Sequence, residues 1–209
     1  MTHSVARLGI TLVAIVFCAS FGCSAKSRSR AYPPAIDPNA AQKAMELYDS
    51  DKDGFLDKAE LEKVPGLKAA IEQVDTNHDG KISADEISAR IESWKASRTA
   101  RMPIRCVILH KGQPLVGATI TFVPESFLGN ELPTVSATTG LAGGTAINAP
   151  AKDGAPPIGL PPGFYRVQVT KSGENIPAKY NTATTLGQEV ANDAKGLEPG
   201  KMPQFDLDY

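Results

Sequence analysis

The sequence predicts an α-then-β multidomain chain: a paired helix–loop–helix module over residues 37–98, then an antiparallel β-sandwich over residues 103–209. Three observations predict it. Two twelve-residue acidic stretches, Asp49–Glu60 and Asp75–Glu86, repeat one pattern of oxygen-bearing side chains around a central glycine. Apolar residues flank both at helical intervals. From Met102 the apolar period changes from 3.6 to 2, and glycine and proline punctuate short β-branched runs. A chain of 209 residues, 42% of them hydrophobic, suits one or two modest domains. A net charge of −1 supplies no field to gather nucleic acid, and no nucleic-acid partner is expected. The charge is uneven, for between Asp37 and Glu92 acids outnumber bases two to one.

Residues 1–22 read as an export signal. A weakly basic lead, Met1 to Arg7, precedes an apolar run from Leu8 to Phe21, too short for a bilayer span of about 20 residues. The run ends in Ser20-Phe21-Gly22-Cys23, which resembles a bacterial lipobox, although Ser20 stands where leucine is usual. The resemblance implies cleavage before Cys23, lipidation of its thiol and a membrane anchor there. The alternative is an ordinary signal cut after Ala25. On the first reading Cys18 leaves with the signal and Cys106 stands alone as a buried thiol in an apolar strand. Residues 23–36, rich in serine, basic residues and proline, read as a tether.

The first helix is expected from Asp37 as N-cap and Pro38 at the first helical position, with Ala41, Ala44, Met45 and Tyr48 on one face. The first acidic stretch follows. Calcium is a hard cation that takes several oxygens in a loose shell. A twelve-residue loop can wrap it if the chain turns sharply at position 6, where Gly54 and Gly80 stand. Side-chain oxygens fall at positions 1, 3, 5, 9 and 12 in both stretches, and position 8 is aliphatic in both (Leu56, Ile82). Both loops resemble the EF-hand family residue by residue, and the resemblance implies two calcium ions. One ion would be held by Asp49, Asp51, Asp53, Asp57, Glu60 and the carbonyl of Phe55. The other would be held by Asp75, Asn77, Asp79, Ser83, Glu86 and the carbonyl of Lys81. It also implies that Leu56 and Ile82 pair the loops through a short β-bridge and that His78 points away from the metal.

Leu61 and Val64 continue an exit helix that Pro65-Gly66 is expected to stop. Leu67, Ala70, Ile71 and Val74 mark the second entering helix. Ile87, Ile91 and Trp94 mark the longest one, ending near Ser97. The loops start 26 residues apart, so the inner helices are expected to have about two turns each. So small a module leans on metal for its stability, and a calcium-ordered unit is expected rather than a switch that opens a methionine-rich groove. Loop one has carboxylates at all five side-chain positions and loop two has neutral Asn77 and Ser83. Affinities of ~10⁻⁴–10⁻³ M or somewhat tighter are expected.

In the second half, Ile104, Cys106 and Ile108 alternate as a strand, and Lys111-Gly112-Gln113-Pro114 reads as a turn. Ala118 to Val123 is a β-branched strand ended by Pro124. Short segments follow at Val135 and at Thr145-Ala146-Ile147. Phe164 to Thr170 is the clearest strand, and Gln204 to Asp208 the last. The segments Gly112–Pro124 and Pro162–Val169 resemble the carboxypeptidase regulatory-like family. That family is an immunoglobulin/transthyretin-like β-sandwich common in bacterial surface lipoproteins. Catalytic transthyretin relatives use histidines and end in Tyr-Arg-Gly-Ser. This chain ends Asp206-Leu207-Asp208-Tyr209 and has only His110 in this half. No enzyme is expected. The expected protein is an exported, membrane-anchored, calcium-binding lipoprotein of the bacterial envelope whose sandwich is a structural or adhesion module, with an envelope protein as a possible partner. A dockerin-like, calcium-dependent interaction module is the alternative, and a small hydrolase on a transthyretin-type fold is a third reading. The two halves are expected to unfold as independent domains.

Overall fold

The computed structural model describes residues 35–149 and 159–209. The expected export signal, Cys23 and the tether up to residue 34 lie outside the described residues. No described helix is long and apolar enough to cross a membrane.

Helix α1 (Ala40–Tyr48) starts two residues later than Asp37-Pro38 led one to expect, with Asn39 at its N-cap. Asp37 organises the turn before it. Its carboxylate accepts the Asn39 N–H at 2.8 Å and its carbonyl accepts the Ala40 N–H at 3.0 Å. Strand β1 (Phe55–Leu56) leads into α2 (Lys58–Leu61), which Asp57 caps. Pro65 does not simply end a helix. It is the first residue of another, α3 (Pro65–Lys68), at a position whose N–H would have no helical partner, so that proline's lack of one costs nothing. A further single turn, α4 (Ile71–Val74), follows. The short spacing between loops is thus met by three one-turn helices instead of two longer ones. Strand β2 (Ile82–Ser83) pairs antiparallel with β1, setting Leu56 against Ile82, both fully buried. Helix α5 (Ala84–Ser97) is the long one, and Arg98 closes it in a left-handed conformation.

The β-half holds β3 (Ile104–His110), β4 (Gln113–Pro114), β5 (Thr119–Pro124), β6 (Val135–Thr138), β7 (Gly144–Ile147), β8 (Gly163–Thr170), β9 (Gly187–Val190) and β10 (Gln204–Leu207). One sheet runs β6-β5-β8-β9, antiparallel throughout. In the other, β3 takes β10 on one side and β7 then β4 on the other. β10 runs parallel to β3, the exception to the antiparallel pattern. Between the sheets lie Ile104, Cys106 and Ile108 from β3, Ile120 and Phe122 from β5, and Tyr165, Val167 and Val169 from β8.

The helical core does not close on itself. Along with Leu56, Leu67, Ile82, Ile87 and Trp94 it contains Phe127, Leu128, Leu132, Phe164, Ala191 and Ala194 from the β-half. Strand β8 is the shared wall. By the two-residue period of a strand, Phe164 faces the helices and Tyr165 the sandwich. A 3-10 turn, Ser126–Leu128, carries Phe127 into contact with Tyr48 and Phe164. Phe164 in turn meets Trp94 edge-on at 4.6 Å between centroids. Helix α3 lies directly on β8 and β9. A Cβ at Gly187 would stand 1.8 Å from the Pro65 carbonyl oxygen, and one at Gly66 would stand 2.7 Å from the Tyr165 nitrogen. Only glycines permit backbones to approach so closely. The described residues belong to one compact unit, and the helices share their core with the β-half.

Candidate metal centre

The two loops share one backbone conformation and one set of backbone-to-side-chain bonds, to which loop two adds two more. Position 4, Lys52 in one and His78 in the other, is left-handed (φ 61° and 59°), and position 6 follows at 87° in Gly54 and 81° in Gly80. The first aspartate accepts the N–H of the central glycine, Gly54 onto Asp49 at 3.1 Å and Gly80 onto Asp75 at 2.9 Å. Position 3 accepts the N–H of position 5, at 3.2 Å in Asp51 and 2.9 Å in Asn77. Position 5 accepts the N–H of position 7, at 2.9 Å in Asp53 and 2.8 Å in Asp79. These bonds fold short side chains inward and aim their remaining lone pairs at the loop centre.

The closing glutamates are held at both ends of their loops. Glu60 accepts the Ser50 and Asp57 N–H groups; Glu86 accepts those of Thr76 at 3.0 Å and Ser83 at 2.9 Å. Asp57 and Ser83 return the favour by capping α2 and α5, completing a capping box in each. Position 9 is thus a helix cap as well as a candidate ligand. Burial pushes the Glu86 carboxyl up, but the Ser83, Thr76 and Asn77 donors outweigh it and hold the carboxyl below its usual range.

Asp49, Asp51 and Asp53 converge, each offering an oxygen within 4.8 Å of the others'. Asp49 Oδ1 is buried and has no hydrogen-bond partner. An inward-facing carboxylate oxygen without a partner, beside two further carboxylates, fits a hard divalent cation. The all-oxygen set of both loops fits calcium rather than a thiolate- or imidazole-seeking metal. In loop two the corresponding atoms are less free. Asn77 donates its amide to Asp79 at 2.9 Å, and Asp75 accepts from both Asp79 and Gly80.

Lys81, expected to contribute only its carbonyl, also reaches into the other loop. Its ammonium stands 2.7 Å from Asp53 Oδ2 and 5.4 Å from the Phe55 ring centroid. This contact holds the Asp53 carboxyl below its usual range and raises the Lys81 amine. All twelve expected ligand residues lie in the two paired loops. The β1–β2 pairing that the aliphatic residues implied is present.

The residues that tie this centre to the sheets had no motif to betray them. On α5, Arg90 and Trp94 donate to one oxygen of Glu189, at 2.6 and 2.9 Å, and Arg90 also grips Asp193 through two bonds of 2.9 and 2.7 Å. Glu189 is 1% exposed and Arg90 7%. Burial pushes Glu189 up and the Arg90 guanidinium pulls it back, while Arg90 is held firmly charged. At α3, fully buried Glu125 accepts the Gly66 N–H at 2.8 Å, and its other oxygen lies 3.5 Å from Arg166 without a hydrogen bond. Elsewhere, Cys106 is a buried free thiol pushed up to about 12 by burial. His110 stacks on Tyr209 at 4.1 Å.

A family model described as EF hand matches residues 41–65 and again 67–89, one match per loop. No curated protein matches the chain.

Proposed function

We propose that each of the two EF-hand segments holds one calcium ion, and that the chain is a non-enzymatic, membrane-anchored lipoprotein of a bacterial envelope, lipidated at Cys23. The observation that carries the calcium reading is the duplicated loop: oxygen-bearing side chains at equivalent positions in both copies, with Asp49, Asp51 and Asp53 converging in the first and Asp49 Oδ1 buried and unpartnered. The first ion is held by Asp49, Asp51, Asp53, Asp57, Glu60 and the Phe55 carbonyl, the second by Asp75, Asn77, Asp79, Ser83, Glu86 and the Lys81 carbonyl. The ion supplies positive charge that relieves the repulsion among these carboxylates. The chain supplies the shape: glycine turns, capping boxes and the β1–β2 bridge set the oxygens in place beforehand. The β-half serves as a structural or adhesion module of the envelope.

Calorimetric titration with calcium is expected to give two binding events. Glu60→Gln and Glu86→Gln, which remove the bidentate ligand of one loop each, are each expected to weaken one event at least tenfold and spare the other. No heat at millimolar calcium overturns the reading. For the anchor, mass spectrometry of the mature protein is expected to find a diacylglyceryl-modified Cys23 at the N-terminus; an unmodified chain starting at Lys26 overturns that part alone.

A further inference from the structure

We propose that the β-half is the built-in target of the calcium loops: the sheet positions α5 and α3 so that it sets their calcium affinity, and calcium binding in turn tightens the β8–β9 edge. The proposal rests on the calcium reading above and adds its regulation.

The argument starts from one stripe of one helix. Glu86, Arg90 and Trp94 are spaced by four residues on α5 and lie on one face. The first closes loop two. The other two share a single oxygen of Glu189 on β9, at 2.6 and 2.9 Å. A continuous 14-residue helix cannot turn its first residues toward a metal without turning this stripe, so the pose that serves the metal and the pose that serves Glu189 are fixed together. Loop one has a corresponding connection. Six residues after Glu60, Gly66 donates to buried Glu125 at 2.8 Å, and Pro65 packs on the Gly187 backbone of β9. Both exit segments therefore end on the same sheet edge, α3 beside β9 and α5 on Glu189.

The apolar side agrees. The groove between the helices is filled by Phe127, Leu128 and Phe164 of the β-half. A helix pair that must grip a partner to cover its groove carries that partner in its own chain. Two ligands that favour one conformation raise each other's affinity by the same factor, whether the second is a molecule or a covalently attached sheet.

The test uses the whole protein and calcium alone. Trp94 is the chain's one tryptophan and sits in the clamp, away from the ligand atoms, so its fluorescence reports on the joint. Amide exchange over Gly187–Val190 reports on β9. In the wild type, calcium is expected to slow exchange there at least fivefold and to shift Trp94 emission. Glu189→Gln, which keeps the shape but not the charge, is expected to weaken calcium binding three- to tenfold with both sites still filling. Arg90→Lys, a second and milder change, is expected to lose the two-bond grip on Asp193 and weaken binding in the same sense. Two normal binding events with unchanged β9 exchange and unchanged Trp94 emission overturn this proposal and leave the calcium reading standing. So does wild-type affinity in both variants. Absence of any calcium binding overturns both.

Discussion

Glu125 brings a carboxyl into the joint with no exposed surface, and its consequence is a dependence on pH. Burial pushes this carboxyl from 4.5 up to about 7, against the downward pull of the Gly66 N–H and the Arg166 guanidinium. The folded chain therefore keeps a proton that the unfolded chain has already lost. Stability is expected to fall as pH rises from about 4.5 to 7, by up to about 3 kcal/mol, and to have lost that contribution fully above 7. Urea unfolding at pH 5 and pH 8 checks this. Glu125→Gln, which keeps an acceptor for Gly66, is expected to reduce the difference between the two pH values by about that amount. An unchanged difference would assign the dependence to another group. At this scale the proposed ligand residues were legible in the sequence because each loop carries them at one fixed spacing around a central glycine. Arg90 and Glu189 were not, since 99 residues separate them and neither lies in a motif.

Among the elements, α3 shows most clearly where pattern reading stops. The dipeptide Pro65-Gly66 is a good breaker by composition, and locally it does end the run that began with α2. What composition cannot say is that the same two residues are pressed against a strand more than a hundred positions away. Gly66 is glycine for the sake of Tyr165 and Glu125, and Gly187 for the sake of Pro65. Strand β9 has no apolar alternation to read for a related reason: Gln188 and Glu189 are polar, yet both are buried, Gln188 donating to the Glu189 and Lys195 carbonyls and Glu189 accepting from distant Arg90 and Trp94. The strands with clean alternation, β3, β5 and β8, were legible because both their faces obey the period of two. Gly187→Ala is expected to lift α3 from the sheet at a cost of roughly 1–3 kcal/mol or more, since the clash is with backbone that cannot rotate away. Gly173→Ala is a useful contrast, because its Cβ would meet nothing within 4 Å and only its φ of 75° opposes the change. Chemical denaturation of the two variants side by side, with amide exchange across β9, checks that the damage in Gly187→Ala is at the joint.

For the described residues taken together, a core shared by helices and sheets predicts one unfolding transition, felt at once by both. Scanning calorimetry with and without calcium is expected to show a single peak that moves as a whole. Calcium at about a hundred times its dissociation constant adds about 2.7 kcal/mol per site, or roughly 5–10 °C in a chain of this size. A split into a calcium-sensitive and a calcium-blind peak would show two independent halves. The placement of Phe127, Phe164 and Ala191 in the helical core also has a meaning in time. Synthesis delivers the helices first and the residues that finish their core much later, so the order of manufacture runs against the order of packing. Until Ala191 has emerged, the helices hold an open apolar seam and the metal loops have no fixed footing. The earliest folding event available to this chain is therefore local and provisional, and the proposed calcium sites belong to the finished polypeptide.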